Sequence, residues 1–283
     1  MVETNLVALA IKTYQRLLPE LNSKQPQEII SPLQPEPWNL APLVQLPTVG
    51  QTLHSINPVP CHSILIGACE DGLPFLLDLA QPAAGPLLVT GDAGCGKTRQ
   101  LKVMVESALR LASPREIQIG VVTGRPEEWS DLFDPYKRIK HSMGVVTWEG
   151  PALVNLIDSL VSLAEDRYKG RRGGTAVILI VEDLSQIHGV DNRDQMAFHW
   201  LLQNGPQVGI WVIASLQAEL AVALPFWVDV FRTRLFGKID SGEVGQRLAI
   251  YHGLETSHLI TGSEFCTRLG KEWMSYWVPE LGD

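Results

Sequence analysis

Cysteine is scarce in this chain. Cys61, Cys69, Cys95 and Cys266 are the only four in 283 residues, and none stands at a C-x-x-C spacing or beside paired histidines. That pattern argues against a disulfide framework or a zinc site and fits a reducing compartment. No apolar run nears the roughly 20 residues that cross a bilayer, and the N-terminus lacks the basic-then-apolar order of a secretory leader. The expected setting is cytoplasmic, without a membrane partner. A positive charge balance is missing too: 23 Lys and Arg against 31 Asp and Glu leave a formal charge of −8. General adhesion to nucleic acid is therefore disfavoured, and only a local basic loop remains to provide it. There is no internal repeat. His141, His188, His199, His252 and His258 show no ligand spacing and read as structural, and the eight tryptophans are scattered and read mostly as core.

With 45% hydrophobic and 19% charged residues, the chain can bury a core large enough for one α/β domain with an appendage. The stretch that organises it begins with an apolar run at Leu87, Leu88 and Val89. It continues through Gly91, Asp92, Ala93, Gly94, Cys95, Gly96, Lys97 and Thr98, which fits G-x-x-x-x-G-K-[ST]. After Lys97, Leu101, Val103, Met104, Ala108 and Leu109 recur at helical spacing. Strand, glycine loop and helix is the context in which backbone N–H groups cradle phosphates at a helix N-terminus. Lys97 is the residue to reach the β- and γ-phosphates of ATP, and the Thr98 hydroxyl the one to hold Mg²⁺. The eight-residue pattern arises by chance in roughly one chain in a hundred of this length.

Residues 4–21 read as an amphipathic helix that either docks on its own domain or offers a handle to a protein partner. Residues 25–60 are proline-dense and read as a linker or strap. The division expected is residues 1–60 as helix and linker, and residues 61–283 as the ATPase domain. From there strands and helices alternate: a hairpin at 63–77 turning at Glu70-Asp71-Gly72, strands at 87–89, 117–122, 144–147, 176–181, 209–214 and 230–236, and a helix over 151–168. Alternation of this kind predicts an α/β fold with a mostly parallel, RecA-like sheet covered by helices on both faces.

A phosphate loop needs acidic groups at the end of a neighbouring buried strand. Six apolar residues at 176–181 lead directly into Glu182 and Asp183. The usual order is Asp then Glu, the first on the metal and the second polarising water; here it is reversed. Three arrangements stay open: the pair works with its side chains exchanged, Asp183 takes the metal alone, or the site binds nucleotide without efficient hydrolysis. Gln217, closing the next strand, is a candidate to contact the γ-phosphate or the attacking water.

The order Ile64-Leu65-Ile66-Gly67, Asp71-Gly72, Leu77-Asp78-Leu79, the lysine loop, Glu165-Asp166-Arg167-Tyr168, Ala214-Ser215-Leu216-Gln217, Arg232-Thr233-Arg234-Leu235-Phe236 with Asp240-Ser241, and Gly262-Ser263-Glu264-Phe265 resembles the motor domain of the FtsK-HerA P-loop ATPases, in particular FtsK-type DNA translocases. The likeness spans roughly residues 62–280. It implies an additional-strand ATPase working as a homo-oligomeric ring, with ATP and Mg²⁺ at subunit boundaries and hydrolysis coupled to movement along DNA. It also makes Arg232 and Arg234 candidates for a catalytic arginine reaching a neighbour's nucleotide, or else surface arginines. Lys169, Arg171 and Arg172 become candidates for a DNA-contacting loop, or a solvated turn. The protein-handling ATPases of type VII secretion share the likeness and supply an alternative; a nucleotide-dependent regulatory subunit with little turnover is another. Thr123-Gly124-Arg125-Pro126 stands where the translocases carry Asp-Pro-Lys.

Overall fold

The computed structural model describes residues 46–54, 63–79, 84–133, 139–170 and 174–282. The helix expected over residues 4–21, together with Arg171 and Arg172, lies outside the described residues. The described strands are β1 (Ser63–Ala68), β2 (Pro74–Asp78), β3 (Leu87–Gly91), β4 (Ile117–Val122), β5 (Ser142–Val146), β6 (Ala176–Val181), β7 (Ile210–Gln217), β8 (Thr233–Phe236), β9 (Glu264–Leu269) and β10 (Glu272–Trp277). They form one sheet in the order β2-β1-β10-β9-β8-β3-β7-β6-β4-β5. The helices are α1 (Val49–His54), α2 (Lys97–Leu111), α3 (Pro151–Tyr168), α4 (Asn192–Asn204), α5 (Ala218–Ala223), α6 (Pro225–Val228) and α7 (Gly242–Leu248).

The parallel sheet expected from the alternation is the run from β8 to β5. The other side is antiparallel, because β9 and β10 are joined by Gly270 and Lys271 alone and β1 and β2 by a short turn. Connections that short return the chain only antiparallel. Gly72 and Gly270 hold φ of 80° and 60° in those turns, which a residue without Cβ adopts at no steric cost. β3, β6 and β7 are buried along almost their whole length, as strands covered on both faces must be. One core, under α1 and α2, contains Leu101, Val105, Trp129 and Ile178; the other, under α3 to α7, contains Leu160, Leu179, Phe198 and Trp227.

Register decides what meets at the carboxyl ends of the parallel strands. Gly91 pairs with Gln217, Thr90 with Phe236, and Val122 with Val181. The residues following each of these strands therefore emerge at one pole. β7 lies between β3 and β6, so the additional strand is present. Lys169, directly after α3, is at the opposite pole. Within the proline-dense stretch, α1 docks through buried Val49 and Leu53, and the Val49 N–H donates to the Glu280 carbonyl at 2.8 Å.

Two arginines singled out in the sequence hold the fold together. Arg167 donates to the Val208, Gly209 and Thr175 carbonyls, closing the end of α3 over the start of β7. Arg234 is 8% exposed and donates to Phe231, Leu248 and Val228 carbonyls at 3.2, 2.6 and 2.8 Å. Burial lowers the pKa of both guanidinium groups. Arg234→Met leaves three carbonyls without their donor and is expected to destabilise the protein by about 2–4 kcal/mol. Arg234→Lys should recover only part of that, since one ammonium cannot reproduce the planar fork. Urea unfolding midpoints of the two variants check this.

Candidate functional site: a phosphate loop facing a buried carboxylate

The loop between β3 and α2 has the shape its glycines allow. Gly94 and Gly96 hold φ of 77° and 99°. A Cβ on Gly96 would also come within 2.9 Å of the Gly262 Cα. The rest of the loop is pinned from outside. The Asp92 N–H donates to the Lys238 carbonyl at 2.9 Å, the Asp92 carboxylate accepts from the Asp240 N–H at 2.8 Å, and the Gly262 N–H donates to the Cys95 carbonyl at 3.2 Å. Arg99 ties the start of α2 to the Val278 and Pro279 carbonyls. Lys97 folds back over its own loop, its Nζ donating to the Gly91 and Asp92 carbonyls at 3.0 and 2.7 Å. An open cradle of backbone, a helix N-terminus and a lysine resting on the loop it would leave are a donor set suited to a polyphosphate.

Opposite the loop stands Glu182, 5% exposed. The Thr98 hydroxyl donates to Glu182 Oε1. The Thr123 hydroxyl and the Trp129 indole N–H donate to Oε2, the latter at 3.2 Å. Arg125 Nη2 lies 3.5 Å from Oε1. Every group around this side chain is a donor, which suits a carboxylate, an acceptor only. The Trp148 indole N–H fixes the backbone by donating to the Glu182 carbonyl at 2.9 Å. Loop hydroxyl and strand-end carboxylate thus meet across the pole, in the arrangement that Mg²⁺ coordination in phosphate-loop proteins uses.

No protein-family model and no curated protein matches this chain. Solved structures do. EccC (ATPases 2 and 3) of Thermomonospora curvata in complex with a signal sequence peptide superposes with a TM-score of 0.63 at 17% identity, covering 89% of this chain and 45% of its own. EssC (ATPases 2 and 3) of Geobacillus thermodenitrificans gives 0.66 at 17%, covering 100% and 52%. The pCW3 conjugation coupling protein TcpA with ATPγS gives 0.62 at 15%, covering 96% and 83%. The fold is shared with these ATPase domains and with the coupling protein. This chain spans about half the length of the two secretion ATPase structures.

Within that fold the remaining candidates separate. Asp183 does not reach the loop: its carboxylate accepts from Ser185 Oγ and from Gln186 Nε2 at 3.0 Å, inside its own turn. It is the one non-glycine among the described residues with positive φ, 57°, and the Ser215 Oγ accepts its backbone N–H at 3.1 Å. Gln217 lies beside Gly91 in the sheet and is half-buried. Arg232 is exposed and lies against Gly85, at the pole opposite the loop. Arg234 is a correction: its guanidinium is spent on carbonyls of its own chain, so it has no free fork to extend to a neighbour. Lys169 is exposed and pairs with Glu165 at 3.0 Å.

Thr123, Arg125, Trp129 and Trp148 were not candidates from sequence. In sequence, Thr123-Gly124-Arg125-Pro126 stands only as a departure from the translocases, and the scattered tryptophans read mostly as core. The available signal was position, since Thr123 directly follows the strand adjacent to β6.

Cys95, 1% exposed, sits between Gly91 and Gly237; a Cβ on either would come within 2.8 Å of its Sγ. Burial raises its thiol pKa, and Lys97 offsets only part of that. A raised pKa lowers the thiolate fraction at any given pH. In native protein at pH 8, Cys95 should be alkylated by iodoacetamide much more slowly than in urea-unfolded protein, with a rate that climbs as pH rises. Peptide mass spectrometry reads both.

Proposed function

We propose that this chain is a motor ATPase domain that binds ATP and Mg²⁺ at the loop of residues 91–98 and hydrolyses the nucleotide to move a polymer. The observation that carries the reading is the contact between the Thr98 hydroxyl and the buried Glu182 carboxylate. These two residues would hold Mg²⁺, which when bound neutralises charge between the β- and γ-phosphates. Glu182 fills the metal-side place that an aspartate usually takes. Of the arrangements open from sequence, the contact of Glu182 with Thr98 favours Glu182 on the metal side, with Asp183 held in its own turn. Backbone N–H groups of residues 94–98 orient the phosphates, and Lys97 leaves the Gly91 and Asp92 carbonyls to meet them. Gln217, beside Gly91 at the end of the neighbouring strand, would position water. For Asp183 to assist, its carboxylate has to leave Ser185 and Gln186. The chain acts in a ring, and Arg232, at the pole opposite the loop, stands away from a nucleotide held at a neighbour's loop.

DNA is the first reading for the polymer. A protein substrate is the second, favoured by the net charge of −8 and by the pairing of Lys169 with Glu165, which weaken attraction for phosphate backbones. Phosphate release should be measured alone, with duplex DNA, with single-stranded DNA and with unfolded polypeptide. Stimulation by DNA supports the first reading and stimulation by polypeptide the second. Tight ATP binding without turnover points to a regulatory subunit. Lys97→Ala should abolish turnover and weaken ATP binding at least tenfold, and Glu182→Gln should cut turnover by about 10²-fold or more. Unchanged hydrolysis in Lys97→Ala removes the site assignment.

A further inference from the structure

The two oxygens of Glu182 are served differently. Oε2 is held by the Thr123 hydroxyl and by the indole of Trp129, a side chain with no solvent exposure. Both donors belong to the segment that follows β4, and neither has a reason to leave. Oε1 faces the loop and is held by the Thr98 hydroxyl and the Arg125 guanidinium. Thr98 is the one partner that would itself turn to the metal. Arg125 is the one cation within ion-pair distance of Glu182 among the described residues.

Arg125 is also shared. Its Nη1 lies 2.7 Å from Glu128 Oε1, a full ion pair, while its Nη2 stands at the longer 3.5 Å from Glu182, and its side chain is 58% exposed. It can therefore leave Glu182 without losing its other partner or crossing the core. A buried carboxylate with no cation beside it is costly, by several kcal/mol. Two cations on one carboxylate oxygen repel.

We propose that Arg125 is a stand-in cation. It balances Glu182 Oε1 until nucleotide loads and then gives up that oxygen to Mg²⁺, so that the turn after β4 moves with nucleotide binding. This inference rests on the nucleotide reading above and adds its regulation. Arg125 is here a charge-balancing residue that competes with the metal, distinct from an arginine that grips the phosphates. Release of Arg125 shifts it toward Glu128, which lies in the same 3-10 turn that carries Trp129 (Pro126–Phe133). That turn packs against α2 through Trp129, over whose ring Lys102 Nζ lies at 5.8 Å.

The test uses the full chain and its own tryptophans, since Trp129 and Trp148 both touch Glu182. Fluorescence is followed as MgCl₂ is titrated into protein with saturating ATP, and ATP affinity is measured separately in EDTA. Arg125→Gln should lower the half-saturating Mg²⁺ concentration by roughly three- to tenfold, the size of one partly buried charge pair. ATP affinity in EDTA should stay within about twofold. Arg125→Lys keeps the cation and should stay within about twofold of wild type in both titrations. Equal Mg²⁺ midpoints in wild type and Arg125→Gln overturn the proposal, and so does a lysine variant shifted as far as the glutamine one. A higher midpoint in Arg125→Gln, or ATP binding in EDTA weakened severalfold, also overturns it and assigns Arg125 to holding the nucleotide. A wild-type chain that binds no ATP in either condition removes the nucleotide reading itself. ATP binding with unshifted midpoints removes only the exchange of Arg125 for Mg²⁺.

Discussion

A carboxylate taken out of water must be surrounded by donors, and Glu182 is the place where this protein meets that demand. Removing such a group from solvent costs several kcal/mol, and hydrogen bonds to a charged acceptor return about 1.5–3 kcal/mol each. The donors come from the first turn of α2, from Thr123 and Arg125 just past β4, and from Trp129 beyond them. For all of them to reach one side chain, β4 and β6 must end level, as the register of Val122 with Val181 provides, while β3 runs on past them toward the loop: Val181 pairs with Ala214 of β7, and Ala214 with Leu88. A slip of one residue would turn each of these side chains to the other face of the sheet. The polar cluster and the parallel sheet therefore specify one another.

The antiparallel side of the sheet contributes from behind. Lys238 and Asp240, following β8, hold Asp92. Gly262, just before β9, supports Cys95 and crowds Gly96. The Val278 and Pro279 carbonyls, after β10, hold Arg99. Each is a contact to backbone or to a small residue, so the loop keeps its shape while its inner surface stays open. Cys95 serves this support: enclosed by two glycines, its thiol fills space.

Arginines here divide by what surrounds them. Arg167 and Arg234 lie beside groups of backbone carbonyls at helix ends and the turns that follow them, and a planar fork gathers three of them together. That is the work of a staple. Arg125 and Arg232 keep exposed side chains at opposite poles, Arg125 beside the buried acid and Arg232 remote from it. Lys169 shares the remote pole.

The loop of residues 91–98, the apolar strand leading to Glu182 and the helix at 151–168 were legible from the chain alone. Each depends on local periodicity and on residue types that few other backbones tolerate. The hairpin at 63–78 was legible for the same reason, with Gly72 at its turn. What stayed hidden depended on partners distant in sequence. From sequence, Glu182 and Asp183 were equivalent neighbours at a strand end. The structure turns one toward Thr98, 84 residues away, and the other into its own turn, because successive residues leave a strand on opposite sides. Arg234 read like Arg232 until its carbonyl partners were in place. Thr123, Arg125 and Trp129 acquired a role only through the pairing of β4 with β6. Short-range pattern thus determined which elements form and where the glycine loop stands. Tertiary packing decided which acid faces that loop and which cation stands beside it, since those choices are made by contacts between strands that are neighbours only in space.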